Sequence, residues 1–316
     1  MKTYNKGILV RQQNIKGVFF KKMLELIKSD SRVCFVASDA LMEQGILRKA
    51  MTEYPDRIID VGIAEQNIIG VAAGLALSGK IPYVAAMAPF MPLRALDQIY
   101  TDIAYNDVPV KLISTAAGTV SGGGPTHNLI CDFAIFNSIP NMEVISPSDM
   151  NQFIKIVEEL VDYPKPVYLR LPQTDRTVLY PPEEEFVIGR AKVLHDGKDA
   201  AVIATGRCVA QALVAAEELE KENIFIKVID MYTIKPLDRE AVLQAADTKT
   251  IIIAEDHNTA GGLGTLVAAT VAEEERICRI IKMGIPDEFS VLGTGKEIAH
   301  YYGYDADAII QAVHSF

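Results

Sequence analysis

VGIAEQNIIGVAAGLAL, residues 61–77, decides how this chain is to be read. It follows the β-rich run RIIDV at 57–61 and has the length and apolarity of a buried helix. A strand leading straight into such a helix is the building unit of a parallel sheet covered by helices. One acid, Glu65, interrupts the apolar run. Helix dipoles favour acids in the first turn, which gives Glu65 an ordinary structural explanation. Against that, an ionised carboxylate buried without a partner is costly, and Ile68, Ile69, Val71, Leu75 and Leu77 surround the helix. Gly70 and Gly74 permit close backbone approach, so the helix is expected to be covered on all sides, with a second chain on the outside.

The same alternation extends along the chain. Short β-rich runs stand at 32–38, 57–61, 81–87, 110–115, 142–146 and 166–171, with helical patterns between several of them. In SPSDMNQFIKIVEELV either Ser148 or Asp149 can cap the helix start. From Pro172 to about Asp199 the pattern lapses into adjacent prolines and an acid run, which suits a crossover between domains. Beyond it the alternation resumes with AAVIAT, IFIKVID, TIIIAED and RIIKMG, each followed by helical spacing. The expected fold is α/β with two domains, 1–180 and 181–316, each a mainly parallel sheet with helices on both faces.

Composition narrows the function. The 316 residues are 49% hydrophobic and 23% charged, with 31 basic and 41 acidic side chains and a net charge of -10. No Lys/Arg cluster stands out, so nucleic acid and anionic membrane are poor partners, and a small molecule or another protein fits better. No apolar run approaches the ~20 residues that span a bilayer. Cys34, Cys131, Cys208 and Cys278 are scattered without a CxxC pair, which suits a reducing compartment. The N-terminus has no long apolar core, and the chain is read as cytoplasmic.

Two further stretches carry chemistry. SGGGPTHNL, 121–129, is a glycine-rich loop ending in His127. It is neither a Walker loop nor a dinucleotide fingerprint, and alone it reads as a turn with an incidental histidine. VAAMAPFMPLRALDQIY, 84–100, holds Met87 and Phe90, which would ordinarily be core, and Arg94 and Asp97, spaced as a surface ion pair.

Taken in order, GIAEQN, APFMPLRALDQI, SGGGPTH, ISPSDMNQ and PVYLRLP resemble the second half of a transketolase, and AEDHNTAGGLG resembles the C-terminal domain of transketolases and deoxyxylulose-phosphate synthases. The resemblance covers nearly the whole chain. It implies thiamine diphosphate as cofactor and transfer of a two-carbon ketol unit from a ketose to an aldose. The family's GDG motif, which binds magnesium and the cofactor diphosphate, is absent; HDGKD at 195–199 lacks the first glycine. The resemblance therefore implies a split enzyme. This chain would supply the pyrimidine-binding and C-terminal domains, and a separate N-terminal subunit would bring the GDG motif and hold magnesium. Because the family's sites form between subunits, a dimer of this chain with two partner chains is expected.

The same resemblance assigns residues. Glu65 takes the place of the glutamate that shares a proton with the aminopyrimidine ring nitrogen, the step that prepares the cofactor for deprotonation. Phe90 matches an aromatic packed on the pyrimidine, and Met87 stands where another phenylalanine is common. Asp39 matches an acid close to the thiazolium, and His127 matches a histidine that binds substrate oxygens near the reacting carbon. Among the substrate positions Arg170 keeps the family arginine. Thr115 stands where a histidine is common, Glu43 falls near an expected serine, and Gly123 replaces an aspartate that recognises a sugar hydroxyl. These departures imply a substrate other than the standard pentose-phosphate pair, either unphosphorylated or differently clamped. A deoxyxylulose-phosphate-synthase-like enzyme, the β subunit of a 2-oxo acid dehydrogenase and a non-catalytic paralogue are the alternatives.

Overall fold

A computed structural model of the chain describes residues 15–38, 45–119, 123–172 and 178–316. Asp39 and Glu43 lie outside the described residues.

Each of the six β-rich runs of the first half forms a strand: β1 (Val33–Ala37), β2 (Ile58–Asp60), β3 (Ile81–Met87), β4 (Lys111–Thr115), β5 (Glu143–Ile145) and β6 (Val167–Arg170). Most of their residues are buried on both faces, as parallel strands between helical layers must be. The second half adds β7 (Lys192–His195), β8 (Ala200–Ala204), β9 (Ile226–Asp230), β10 (Thr233–Lys235), β11 (Thr250–Asn258) and β12 (Arg279–Ile285). The first sheet runs β10-β5-β6-β4-β3-β1-β2 and the second β12-β11-β8-β9-β7. All pairings are parallel except β10 on β5 and β7 on β9.

Two of these strands depart from the expected pattern. β7 lies within the stretch expected to be an irregular crossover, and no run of the sequence announces β10. β10 comes from the second half of the sequence but closes the edge of the first sheet, pairing Thr233 with Ile145 and Lys235 with Val144. One core cluster accordingly spans both halves, from Phe19, Phe35 and Phe153 to Val202, Val228 and Ile285. Asp149, not Ser148, caps the helix Met150–Glu159 through Gln152 N. Its second oxygen accepts from Leu179 N and Tyr180 N, pinning the chain where it leaves the first half.

The helix Glu65–Leu77 has one face packed within this chain and one left exposed. Ile68, Ile69, Ala72, Ala73 and Ala76 form its buried face, packed against β3 and the segment after it. Gly70, Gly74 and Leu77 are exposed, and a Cβ added at either glycine would meet nothing within 4 Å. Within this chain the helix is covered on one side only, because no other element of the described residues crosses the glycine face.

Candidate active site

Successive strand ends of the first sheet bring the site together. Glu65 begins the helix after β2, Met87 ends β3, Phe90 and Arg94 bound a π-helical turn just beyond it, and His127 ends the 3-10 turn Pro125–His127 that follows β4. All lie at the carboxyl edge of the sheet, where open α/β sheets bind ligands.

Glu65 is buried, and its Oε2 accepts from Arg94 Nη1 at 2.5 Å. The carboxylate side chain is 4% exposed and the arginine side chain 48%. Sequence spacing pairs Arg94 with Asp97, but Arg94 turns away because the π-helical turn aims it across to the start of the helix Glu65–Leu77. Oε1 of Glu65 has no hydrogen-bond partner among the described residues. The Arg94 guanidinium also lies over the Phe90 ring, 4.9 Å from its centroid. Phe90 meets the His127 imidazole edge-on at 5.3 Å. Arg94 thus links the buried acid to Phe90, and Phe90 in turn meets the imidazole.

His127 is shaped by its loop. Thr126 Oγ1 lies 3.0 Å from His127 Nδ1, so Nε2 is left without a hydrogen bond among the described residues. Gly123 packs directly against the histidine: a Cβ there would stand 2.5 Å from His127 Cβ. The second half supports the loop, with Asn128 Nδ2 donating to Ser290 Oγ and Leu292 lying against Gly124. An open cleft of about 570 Å³ runs beside this loop, lined by Pro89, Leu93, Thr126 and Cys131 on one wall and Asp287 to Ser290 on the other.

Two expected substrate residues are placed elsewhere. Arg170 is buried, with Nε and Nη2 donating to Asp132 and Nη1 to the Asp256 carbonyl. Burial opposes both charges of this pair; each more than offsets that for the other, so Asp132 titrates below the ordinary carboxylate range and Arg170 above its usual value. The arginine also lies 3.9 Å over Phe133, on which His257 stacks at 4.8 Å. Burial holds His257 neutral, its pKa pushed down to about 4. Three of its five N–H donors are used in this way, and Arg170 bridges Asp132 of the first half to the Asp256 carbonyl of the second, bracing the junction of the two halves. Thr115 is likewise buried, its hydroxyl donating to the Ala86 carbonyl. Sequence reasoning missed Asp132 and Asp256; the latter ties down the chain after β4 by accepting from Thr119 N and Oγ1.

The pyrimidine half of thiamine diphosphate fits these residues. A buried carboxyl group with an oxygen to spare, joined through Arg94 to an aromatic ring, offers what an aminopyrimidine needs: a hydrogen-bond partner and an apolar cover. The class of chain the geometry defines is an α/β protein with a buried acid, an aromatic ring and an imidazole at the carboxyl edge of its first sheet.

The chain belongs to the transketolase family. It matches the transketolase pyrimidine binding domain over residues 12–177 and the transketolase C-terminal domain over residues 189–309. It is 39% identical to a putative transketolase C-terminal section of Methanocaldococcus jannaschii, over 83% of each chain. It is 38% identical to one subunit of an apulose-4-phosphate transketolase of Phocaeicola vulgatus, over 94% of this chain and 96% of that one. A solved split-gene transketolase, described as an inactive β4 tetramer, superimposes with a TM-score of 0.85 at 33% identity, covering 95% of this chain and 97% of that one. This chain is thus a C-terminal subunit of a split, thiamine-diphosphate-dependent transketolase, a transferase that works with a separate partner subunit. No described helix is long and apolar enough to cross a membrane.

Proposed function

We propose that Glu65, Met87, Phe90 and His127 form this chain's share of the active site, and that the partner subunit brings the GDG motif and the magnesium-bound diphosphate. The reading rests on one observation: a buried carboxylate bonded on one oxygen only, by an arginine that also lies over Phe90, the ring that meets His127. The bound cofactor supplies the carbon that takes up the ketol unit. Glu65 holds a proton at the pyrimidine ring nitrogen through Oε1, and Phe90 with Met87 covers the ring and keeps water from it. His127 donates from Nε2 to an oxygen of the substrate, where charge develops as the carbon–carbon bond breaks. Asp39 is carried by resemblance as the acid close to the thiazolium.

The substrate reading follows from what borders the site. The cleft beside His127 carries Asp287 and Glu288 and no cation among its lining residues. A polyhydroxy chain suits it better than a phosphate, which the acids would repel. The relative from Phocaeicola vulgatus is named for a phosphorylated compound, apulose-4-phosphate; an anionic group on a substrate here would be held outside this cleft. Gly123, in place of an acid, removes a carboxylate that would recognise a sugar hydroxyl and lets the chain pack directly on His127. The working assembly is a cytoplasmic dimer of this chain with two partner chains, and the exposed glycine face of the helix Glu65–Leu77 is the surface offered for it.

The test is Glu65→Gln in the complex reconstituted with the partner subunit. The amide is isosteric but cannot exchange the proton, so turnover falls by about 10³-fold or more while assembly is retained. A Gln variant with wild-type turnover overturns the assignment.

A further inference from the structure

The pairing of Glu65 with Arg94 is not accounted for by stability alone. The acid is buried and the arginine half-exposed, so desolvation of the carboxylate consumes much of a Coulomb gain that solvent already weakens on the arginine side. Nor does the proton exchange assigned to Glu65 require a second charge. What the arginine does is geometric. It takes Oε2 and leaves Oε1, so the carboxylate plane has one orientation and one free acceptor. Its guanidinium also rests on Phe90, the ring expected to cover the pyrimidine, and Phe90 in turn abuts His127. A planar, forked donor is suited to holding a carboxylate and stacking on an aromatic at once. The π-helical turn Phe90–Arg94 places both residues on the same side, and π-turns are frequently found at functional sites.

We propose that Arg94 is a positioning residue that turns the Glu65 carboxylate so that Oε1 meets the pyrimidine of the cofactor, and that fixes Phe90 beneath that ring. This rests on the reading of Glu65 above. In this role Arg94 acts through Glu65 and Phe90, so its effect falls on kcat and on cofactor binding rather than on substrate KM.

The reconstituted complex is assayed with Arg94→Met and Arg94→Lys, and thiamine diphosphate binding is measured by calorimetry on the same samples. Arg94→Met lowers kcat by about 10²-fold, the scale of a misoriented catalytic group, with substrate KM within about twofold of wild type. It also weakens cofactor binding about tenfold. Arg94→Lys, able to make the single bond to Oε2, recovers about tenfold of the kcat loss. In the Glu65→Gln background, Arg94→Met weakens cofactor binding by less than about twofold further, because the oriented group is already gone. The inference is overturned by a Met variant with wild-type kcat and cofactor affinity, by a loss that Lys does not recover, or by additive binding losses in the double variant. Failure of the Glu65 reading is separate: there Glu65→Gln itself stays active.

Discussion

At Gly123 the chain has no room for a side chain. A Cβ would stand 2.5 Å from His127 Cβ and 2.9 Å from Cγ, so one or the other must move. Nothing on the far side of His127 yields easily, because Phe90 abuts its ring and Thr126 holds Nδ1. Gly123→Ala therefore displaces the imidazole and lowers kcat of the assembled enzyme by about 10²-fold. The unfolding midpoint stays close to wild type, since Gly123 is exposed and outside the core. Steady-state kinetics beside a thermal melt checks this, and unchanged kcat would show that the loop re-forms around the methyl group. The burial of Glu65 was legible in the sequence, because an acid inside an apolar run breaks a local rule, whereas His127 was singled out only by the family resemblance. Arg94 as the partner of Glu65 was not, since the two stand 29 residues apart and meet only through a π-helical turn that i,i+3 spacing does not foresee. Asp132 as the partner of Arg170 was not legible for a similar reason: it lies 38 residues away, and only the fold brings the two together.

The helix Glu65–Leu77 carries two glycines that cost it stability as it stands. Each costs about 1 kcal/mol relative to alanine in a helix interior, and in this chain neither is needed for contact or for an unusual φ. Their use lies on the exposed side, where small residues let another backbone come close. Gly70→Ala and Gly74→Ala each raise the stability of the isolated chain by about 0.5–1 kcal/mol, read by urea unfolding. The same substitutions weaken association with the partner subunit or between copies of this chain, read by analytical ultracentrifugation. Stabilisation without weaker association would remove this face from the interface. The strands of the sheet interiors were legible, because β1, β3 and β8 are apolar runs rich in Val, Ile and Ala, and β11 opens with one. β7 and β10 were not. Both are short antiparallel edge strands, four and three residues long, with too few apolar positions to display a period. Their assignment depends on a neighbouring strand, which local sequence does not reveal.

Across the whole molecule the two halves are joined by buried polar groups as well as by apolar packing. Asp230, at the end of β9, accepts from Ser148 Oγ at 2.7 Å, Gln152 Nε2 at 3.1 Å and Tyr180 OH at 2.6 Å, all from the first half. Burial raises its carboxyl to about 7, against these three hydrogen bonds, and the nearby Asp149 charge works in the same upward direction. An unfolded aspartate loses its proton near 3.8, so between about 4 and 7 the folded chain binds the extra proton. Stability from this residue is therefore greatest at the acid side of that window and declines as pH rises through it, levelling off above about 7. Glu255, also raised to about 7 by burial, acts in the same sense, while His257, held neutral, loses stability as pH falls from 6.5 towards 4. The raw pH profile mixes all three, and a comparison with Asp230→Asn isolates one. Urea unfolding of both proteins at intervals between about pH 5 and pH 8 should give a wild-type advantage that shrinks by a few kcal/mol as pH rises, then becomes constant. A difference independent of pH, or one that grows with pH, would mean that Asp230 is ionised throughout and that its three donors, not a retained proton, carry the junction.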